Sequence, residues 1–121
     1  TGVTGVWEHW RNIDDAQIRA IADTGGVVGV MYQASFLGDA FLGVTVEHVA
    51  AHLDHIAKVA GDDVPALGSD WDGAIMPPRD IPTCLELPRL VDALMRRGWN
   101  AVRIQKVLGL NFLRAVRGLR G

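Results

Sequence analysis

The chain has 121 residues, room for one hydrophobic core and so for one domain or part of one. Its 49% hydrophobic content and 14 glycines exclude a disordered tail, and a net charge of -2 supplies no broad positive field for a nucleic acid backbone. Cys84 is the only cysteine, which excludes an internal disulfide and a thiolate metal cluster, and no apolar run approaches the ~20 residues that span a bilayer.

Taken from its start, Thr1-Gly2-Val3-Thr4 lacks the basic region and apolar core of a secretory leader. Asp14 followed by Gln17 is a capping-box pattern, and Ile18, Ile21 and Ala22 then share one helical face, so a helix is expected from about Asp14 to Thr24. Gly25-Gly26 stops it. The unbroken apolar run Val27 to Tyr32 reads as a strand buried on both faces of a parallel sheet. Thr45 is placed to cap a long second helix whose stripe is Val46, Val49, Leu53, Ile56 and Ala60, ended by Gly61. Val64 to Gly68 is a second short strand with Pro65 near its start, which completes a parallel βαβ unit.

The prolines at 77, 78 and 82 make residues 72 to 83 a loop at the carboxyl edge of that sheet. Pro88 suits the first turn of a third helix with Leu90, Val91, Leu94 and Met95 inward and Gly98 as its stop. Asn100 caps a last helical stretch, broken near Gly109 and resuming from Asn111 to Arg117. The basic residues between Arg96 and Arg120 read as solvated faces and last-turn cations, and they interrupt the end too often for a lipid-anchor tail. Neither nucleic acid nor membrane is expected as a partner. Cys84 reads as a small, partly buried side chain, compatible with a reducing, cytoplasmic compartment. With two strands the pattern is α/β but incomplete as a domain, and a closed (β/α)8 barrel takes ~250 residues.

Gly68-Ser69-Asp70-Trp71-Asp72-Gly73 is the segment most suggestive of chemistry, because two acids stand where a buried strand meets a loop. On an extended backbone Asp70 and Asp72 point to the same side, toward one cation or substrate; otherwise this is a solvated turn with Gly73 taking the special backbone angles. A calcium loop fails, since the twelfth position from Asp70 is Ile81. Arg11, just before the first helix, is a planar fork suited to a carboxylate, or an ordinary surface ion pair. His48, His52 and His55 lie on neighbouring turns of the second helix. They could share a metal ion, but they fall away from the apolar stripe and read better as a surface or subunit contact. His9 lies nearer the presumed active edge, without further support.

Five stretches in register resemble the membrane dipeptidase, or renal dipeptidase-like, family of peptidases, family M19. They are Arg11-Asn12-Ile13-Asp14-Asp15, Gly25-Gly26-Val27-Val28, His52-Leu53-Asp54-His55-Ile56, Gly68 to Gly73, and Asn111-Phe112-Leu113-Arg114. The likeness spans nearly the whole chain, with Trp71 where the family usually has Phe.

The resemblance implies the C-terminal portion of a (β/α)8 TIM-type barrel, residues 1–121 forming a single partial domain too short to close a barrel. It implies a zinc-dependent dipeptidase, in which two zinc ions activate a bridging water against the peptide bond of a dipeptide. Carried over by position, Arg11 pairs with the dipeptide's free carboxylate. Asp70 contacts its amino group and the metal-bound water as the candidate acid or base. The family's principal zinc ligands have no matching positions, so no metal ligand is expected within this chain and a fragment is expected to be inactive alone. Its partners would then be the missing N-terminal half of the barrel, or further copies pairing with exposed strand edges. Two other readings stand beside this one: a magnesium-dependent, haloacid-dehalogenase-like phosphatase with Asp70 as phosphoryl acceptor, and a non-catalytic α/β assembly module.

Overall fold

The caps foreseen from the sequence start the helices. In the computed structural model, which describes residues 1–121, Asp14 Oδ1 accepts from the Gln17 N–H at 2.8 Å and Gln17 Oε1 accepts from the Asp14 N–H at 3.0 Å, opening α1 (Asp15–Asp23). Strand β1 (Val28–Val30) follows, then a single turn α2 (Ala34–Leu37) that the sequence did not announce. The long helix α3 (Val46–Ala60) begins with its own variant of the box. His48 Nδ1 accepts from the Thr45 N–H at 3.1 Å, and Asp80, far along the chain, takes the Val46 N–H at 2.8 Å. Gly61, at φ 93°, ends it in a backbone region that costs glycine little.

Strand β2 (Pro65–Leu67) pairs parallel to β1, in the register Val28 with Pro65, Gly29 with Ala66 and Val30 with Leu67. Because Val64 and Gly68 carry the flanking bonds to β1, the missing N–H of Pro65 falls on the outer edge, where it breaks no ladder bond. On the far side of β1, Thr1 lies alongside as a partial third strand: Met31 N–H donates to Thr1 C=O at 3.0 Å. After a 3-10 turn at Cys84–Glu86 come α4 (Leu87–Arg96), α5 (Ala101–Gln105), a kinked stretch at Lys106–Leu110 in which the non-helical backbone of Gly109 makes the break expected there, and α6 (Asn111–Arg120). The two-stranded sheet does not close into a barrel.

The core is one cluster of 22 buried residues between the sheet and the helices, with Ile18, Val30, Tyr32, Leu53, Ile56, Leu90 and Leu94 among its fully enclosed members. Burial along β1 alternates: Val28, Val30 and Tyr32 are enclosed while Gly29 and Met31 are partly open. Only one face of the strand is therefore fully covered, against the two-sided burial its composition implied. Met95, expected inward on α4, is 59% exposed, and Ala93 takes the buried position instead. Cys84 is exposed rather than partly buried, because the turn that carries it stands off the core. No helix is long and apolar enough to cross a membrane.

The basic residues near the end are less solvated than their spacing suggested. Arg96 pairs with Glu47 on α3, Arg103 with Asp62 at 3.0 Å, and Lys106 with Asp63 at 2.8 Å. Asn111, buried within α6, donates from Nδ2 to Asp62 C=O at 2.8 Å and to Pro65 C=O at 2.9 Å. One turn later Arg114 donates to Gly25 C=O and Asp63 C=O, both at 2.9 Å. The Asn111-Phe112-Leu113-Arg114 stretch thus fastens the last helix to the amino edge of the sheet, opposite the edge where Asp70 stands.

Candidate functional site at the carboxyl edge

Where β2 ends, the chain turns abruptly. Asp70 has φ 69°, the one non-glycine residue in the left-handed region, and Gly73 N–H donates back to Asp70 C=O at 2.9 Å. The backbone is therefore not extended, and the alternation that would have aimed Asp70 and Asp72 at one cation does not apply. The special backbone angle also belongs to Asp70 and not to Gly73. What Gly73 supplies is room, since a Cβ there would stand 2.5 Å from Asp70 Oδ1 and 2.8 Å from its Cγ. Left-handed backbone at an aspartate costs of order 1 kcal/mol, and such strain concentrates at functional sites.

The loop behind Asp70 is pinned. Trp71 Nε1 donates to Ile81 C=O at 3.1 Å, a bond that phenylalanine could not make, and its ring meets the buried Tyr32 ring edge-on at 5.0 Å. Tyr32 N–H donates to Ser69 C=O, so the two strand ends stay in step to the edge. The Tyr32 hydroxyl finds no protein partner, and burial pushes its pKa up. Farther along, Met76 exchanges bonds with Gln33 and Ala34, drawing residues 72 to 83 over the exit of β1.

Arg11 reaches the same edge from the opening loop, which Val3 and Ile13 close by bridging in parallel. Its guanidinium lies 5.3 Å from the centre of the Trp10 ring and 5.5 Å from that of Phe36, in the turn after β1. It makes neither a salt bridge nor a side-chain hydrogen bond, so its fork of donors is unspent. His9 packs beside it, its ring 4.9 Å from Phe36 and its Nδ1 accepting from the Arg11 N–H at 3.1 Å. The aromatic seat made by Trp10 and Phe36 was not visible in the sequence, because Phe36 lies 25 positions from Arg11 and belongs to the unannounced turn α2.

The charges of Arg11 and Asp70 act in opposite directions on the Thr1 amino group. The amino group of Thr1 has its pKa lowered first by burial and then by the charge of Arg11, while the charge of Asp70 acts in the opposite direction. Both side chains are exposed to solvent. No enclosed hollow contains them; a hollow of about 400 Å³ lies at the amino edge, against Gly25, Gly26 and Arg114.

The three helical histidines do not form a metal site, and one of them corrects the expectation of a surface stripe. His52 is completely buried, with Nδ1 accepting from the Val3 N–H at 2.9 Å and Nε2 bonded to Leu37 C=O at 3.0 Å. His48 serves its own helix start, and His55 Nε2 lies 2.7 Å from Asp15 Oδ1 on α1. No cluster of three or more His, Cys, Asp or Glu side chains comes together in the chain.

Three comparisons bear on this arrangement. A family model described as membrane dipeptidase, peptidase family M19, matches residues 1–120. An uncharacterized Klebsiella pneumoniae protein from the pqqA 5' region is 36% identical over 112 residues, covering 90% of this chain and 41% of the relative. Among solved structures, an amidohydrolase from Pseudomonas aeruginosa superposes with a TM-score of 0.82 at 29% identity, covering 96% of this chain and 43% of its own. A Rhodobacter sphaeroides metallo peptidase, crystallised with a phosphinate mimic of the dipeptide L-Ala-D-Ala, gives a TM-score of 0.83 at 30% identity, covering 93% of this chain and 32% of its own. The chain spans less than half the length of each of these relatives.

Proposed function

The chain belongs to the membrane dipeptidase family of metallopeptidases, and from that premise we propose that it forms the substrate-holding part of a zinc-dependent dipeptidase. The observation that carries the reading is that Arg11, seated against Phe36 in the turn after β1, and Asp70, just past the end of β2, are exposed and opposite in charge. A dipeptide has a carboxylate at one end and an ammonium at the other. The guanidinium fork of Arg11, seated on two rings, suits the carboxylate as a bidentate partner, and the Asp70 carboxylate suits the ammonium or a proton in transit. Ligands of α/β folds gather at this edge, where loops vary while strands hold them.

In this reading the 121 residues are the C-terminal βα units of a (β/α)8 barrel. The two zinc ions that would supply an activated water are held by residues outside the chain. The rest of the barrel, joined covalently or as a separate piece, is the partner the site requires, and a second copy is the alternative occupant of the open sheet face. A phosphatase using Asp70 is disfavoured by the family match.

The test is hydrolysis of L-Ala-D-Ala and glycylglycine by the longer peptidase that contains this segment, loaded with zinc, beside its Arg11→Ala and Asp70→Asn variants. Loss of an interaction with a charged group predicts falls of roughly tenfold to a thousandfold in kcat/KM. Arg11→Ala should act chiefly on KM and lose its effect on substrates whose carboxylate is amidated. Wild-type rates in both variants would overturn the assignment.

A further inference from the structure

Two buried side chains join the opening loop to α2 by parallel bridges. Asn12 Oδ1 accepts from the Gly2 N–H at 2.9 Å, while its Nδ2 donates to Phe36 C=O at 2.7 Å and to Trp7 C=O at 2.9 Å. His52 takes the next pair, accepting from Val3 N–H on Nδ1 and reaching Leu37 C=O from Nε2. Successive amides are thus linked to successive carbonyls. Because Nδ1 faces a donor it must be bare, so Nε2 carries the proton and the ring is neutral. The fit is close: a Cβ on Gly2 would come within 2.7 Å of Phe36 O, 2.8 Å of Asn12 Oδ1 and 2.9 Å of His52 Cε1.

We infer that Asn12 and His52 are positioning residues for Arg11: their paired bridges hold the Phe36 ring under the guanidinium and thereby fix where a substrate carboxylate is received. The inference rests on Arg11 being the carboxylate-binding group proposed above. The link is physical at each step. Asn12 adjoins Arg11 in the chain, the carbonyl it holds belongs to Phe36, and the Phe36 ring is one of the two surfaces on which the guanidinium lies. A guanidinium that starts in one orientation loses less rotamer entropy when it binds, which is how such a clamp would raise affinity. Neither residue touches the reacting atoms.

Glutamine can imitate the imidazole, with one acceptor and one donor, whereas leucine fills the space and offers neither. The experiment records the heteronuclear NOE of the Arg11 Nε–H by NMR in the full 121-residue chain, with the Arg103 Nε–H, held by Asp62 and the Trp99 ring, as the internal control. It also measures the KM for glycylglycine in the longer, zinc-loaded peptidase. His52→Leu is expected to lower the Arg11 value to that of the unpaired Arg120, to leave Arg103 unchanged, and to raise the KM for glycylglycine in the longer peptidase about tenfold, whereas His52→Gln stays within about threefold. Should His52→Leu fail to fold, Phe36→Leu keeps both bridges but removes the ring, and must mobilise Arg11 in the same way. An unchanged Arg11 value in either folded variant overturns the inference. If the ordering effect is present but Arg11→Ala leaves the glycylglycine KM of the longer peptidase unchanged, the clamp stands and the carboxylate role of Arg11 falls.

Discussion

At the scale of single residues, the disposition of the Asp70 carboxylate depends on a neighbour with no side chain. Gly73 has no positive φ, so its backbone would accept alanine; the obstacle is the carboxylate, which a new Cβ would meet at 2.5 Å. A carboxylate can swing aside, so the stability cost of Gly73→Ala should stay within about 1 kcal/mol. The catalytic cost should be larger, because an acid or base displaced by about an ångström loses its alignment with the proton it handles. In the longer peptidase, Gly73→Ala is expected to reduce kcat/KM for L-Ala-D-Ala at least about tenfold with an unchanged urea midpoint. Activity equal to wild type would mean that Asp70 does not act from the rotamer seen here.

Among the elements, α6 is held by hydrogen bonds more than by packing: Phe112, Leu113 and Leu119 are exposed, and Asn111 is its one fully buried residue. Asn111→Leu keeps the volume but leaves the carbonyls of Asp62 and Pro65 without their partner, for an expected loss of roughly 2–4 kcal/mol by urea denaturation. A loss below about 0.5 kcal/mol would show that those carbonyls are satisfied otherwise. The polar side chain of Asn111 does not announce this role, because its partners lie 46 and 49 positions away. Local signals were legible where the physics is local. The Asp14 and Gln17 box, the glycine at 61 and the apolar stripe of α3 all gave their elements, and the order of strand, helix and strand gave the parallel pair. Asp70 stands out in the sequence because a buried strand ends there, whereas Arg11 by itself reads as an ordinary surface ion pair and takes its expected role from the family resemblance. Their aromatic seat, the buried bridge from His52 and the cap from Asp80 depend on long-range contacts, which periodicity cannot encode. His52 misled most, since a polar residue beside an apolar stripe ordinarily faces water, and here two backbone groups take the place of water.

For the whole molecule, the same histidine makes stability depend on pH in a window where most surface groups are silent. Burial is the largest cause that pushes the His52 pKa down from 6.5 to about 4; the bond to Leu37 opposes the shift, and the like charges of His48, His55 and the Thr1 amino group add to it. Above pH 6.5 the ring is neutral both folded and unfolded, and His52 contributes no pH dependence. Between 6.5 and about 4 the unfolded chain takes up a proton that the folded chain refuses, so stability falls as pH falls, by about 1.4 kcal/mol per unit and about 3 kcal/mol in all. Below about 4 both states are protonated there, and carboxylates take over. Asp54 is one of them: burial alone would raise its pKa, but bonds from Lys58 and Trp99 outweigh that and hold it below its ordinary value. Asp63, held low by its bond from Lys106, is another. Urea unfolding of wild type and His52→Gln between pH 7 and pH 4.5 separates the two regimes. Wild type is expected to lose about 2–3 kcal/mol more than the variant across that range, with the extra loss confined to pH below 6.5. Parallel curves would mean that His52 is protonated in the folded chain. Its Nδ1 could then no longer accept from Val3, and the bridge that ties the opening loop to α2 would have to be built another way.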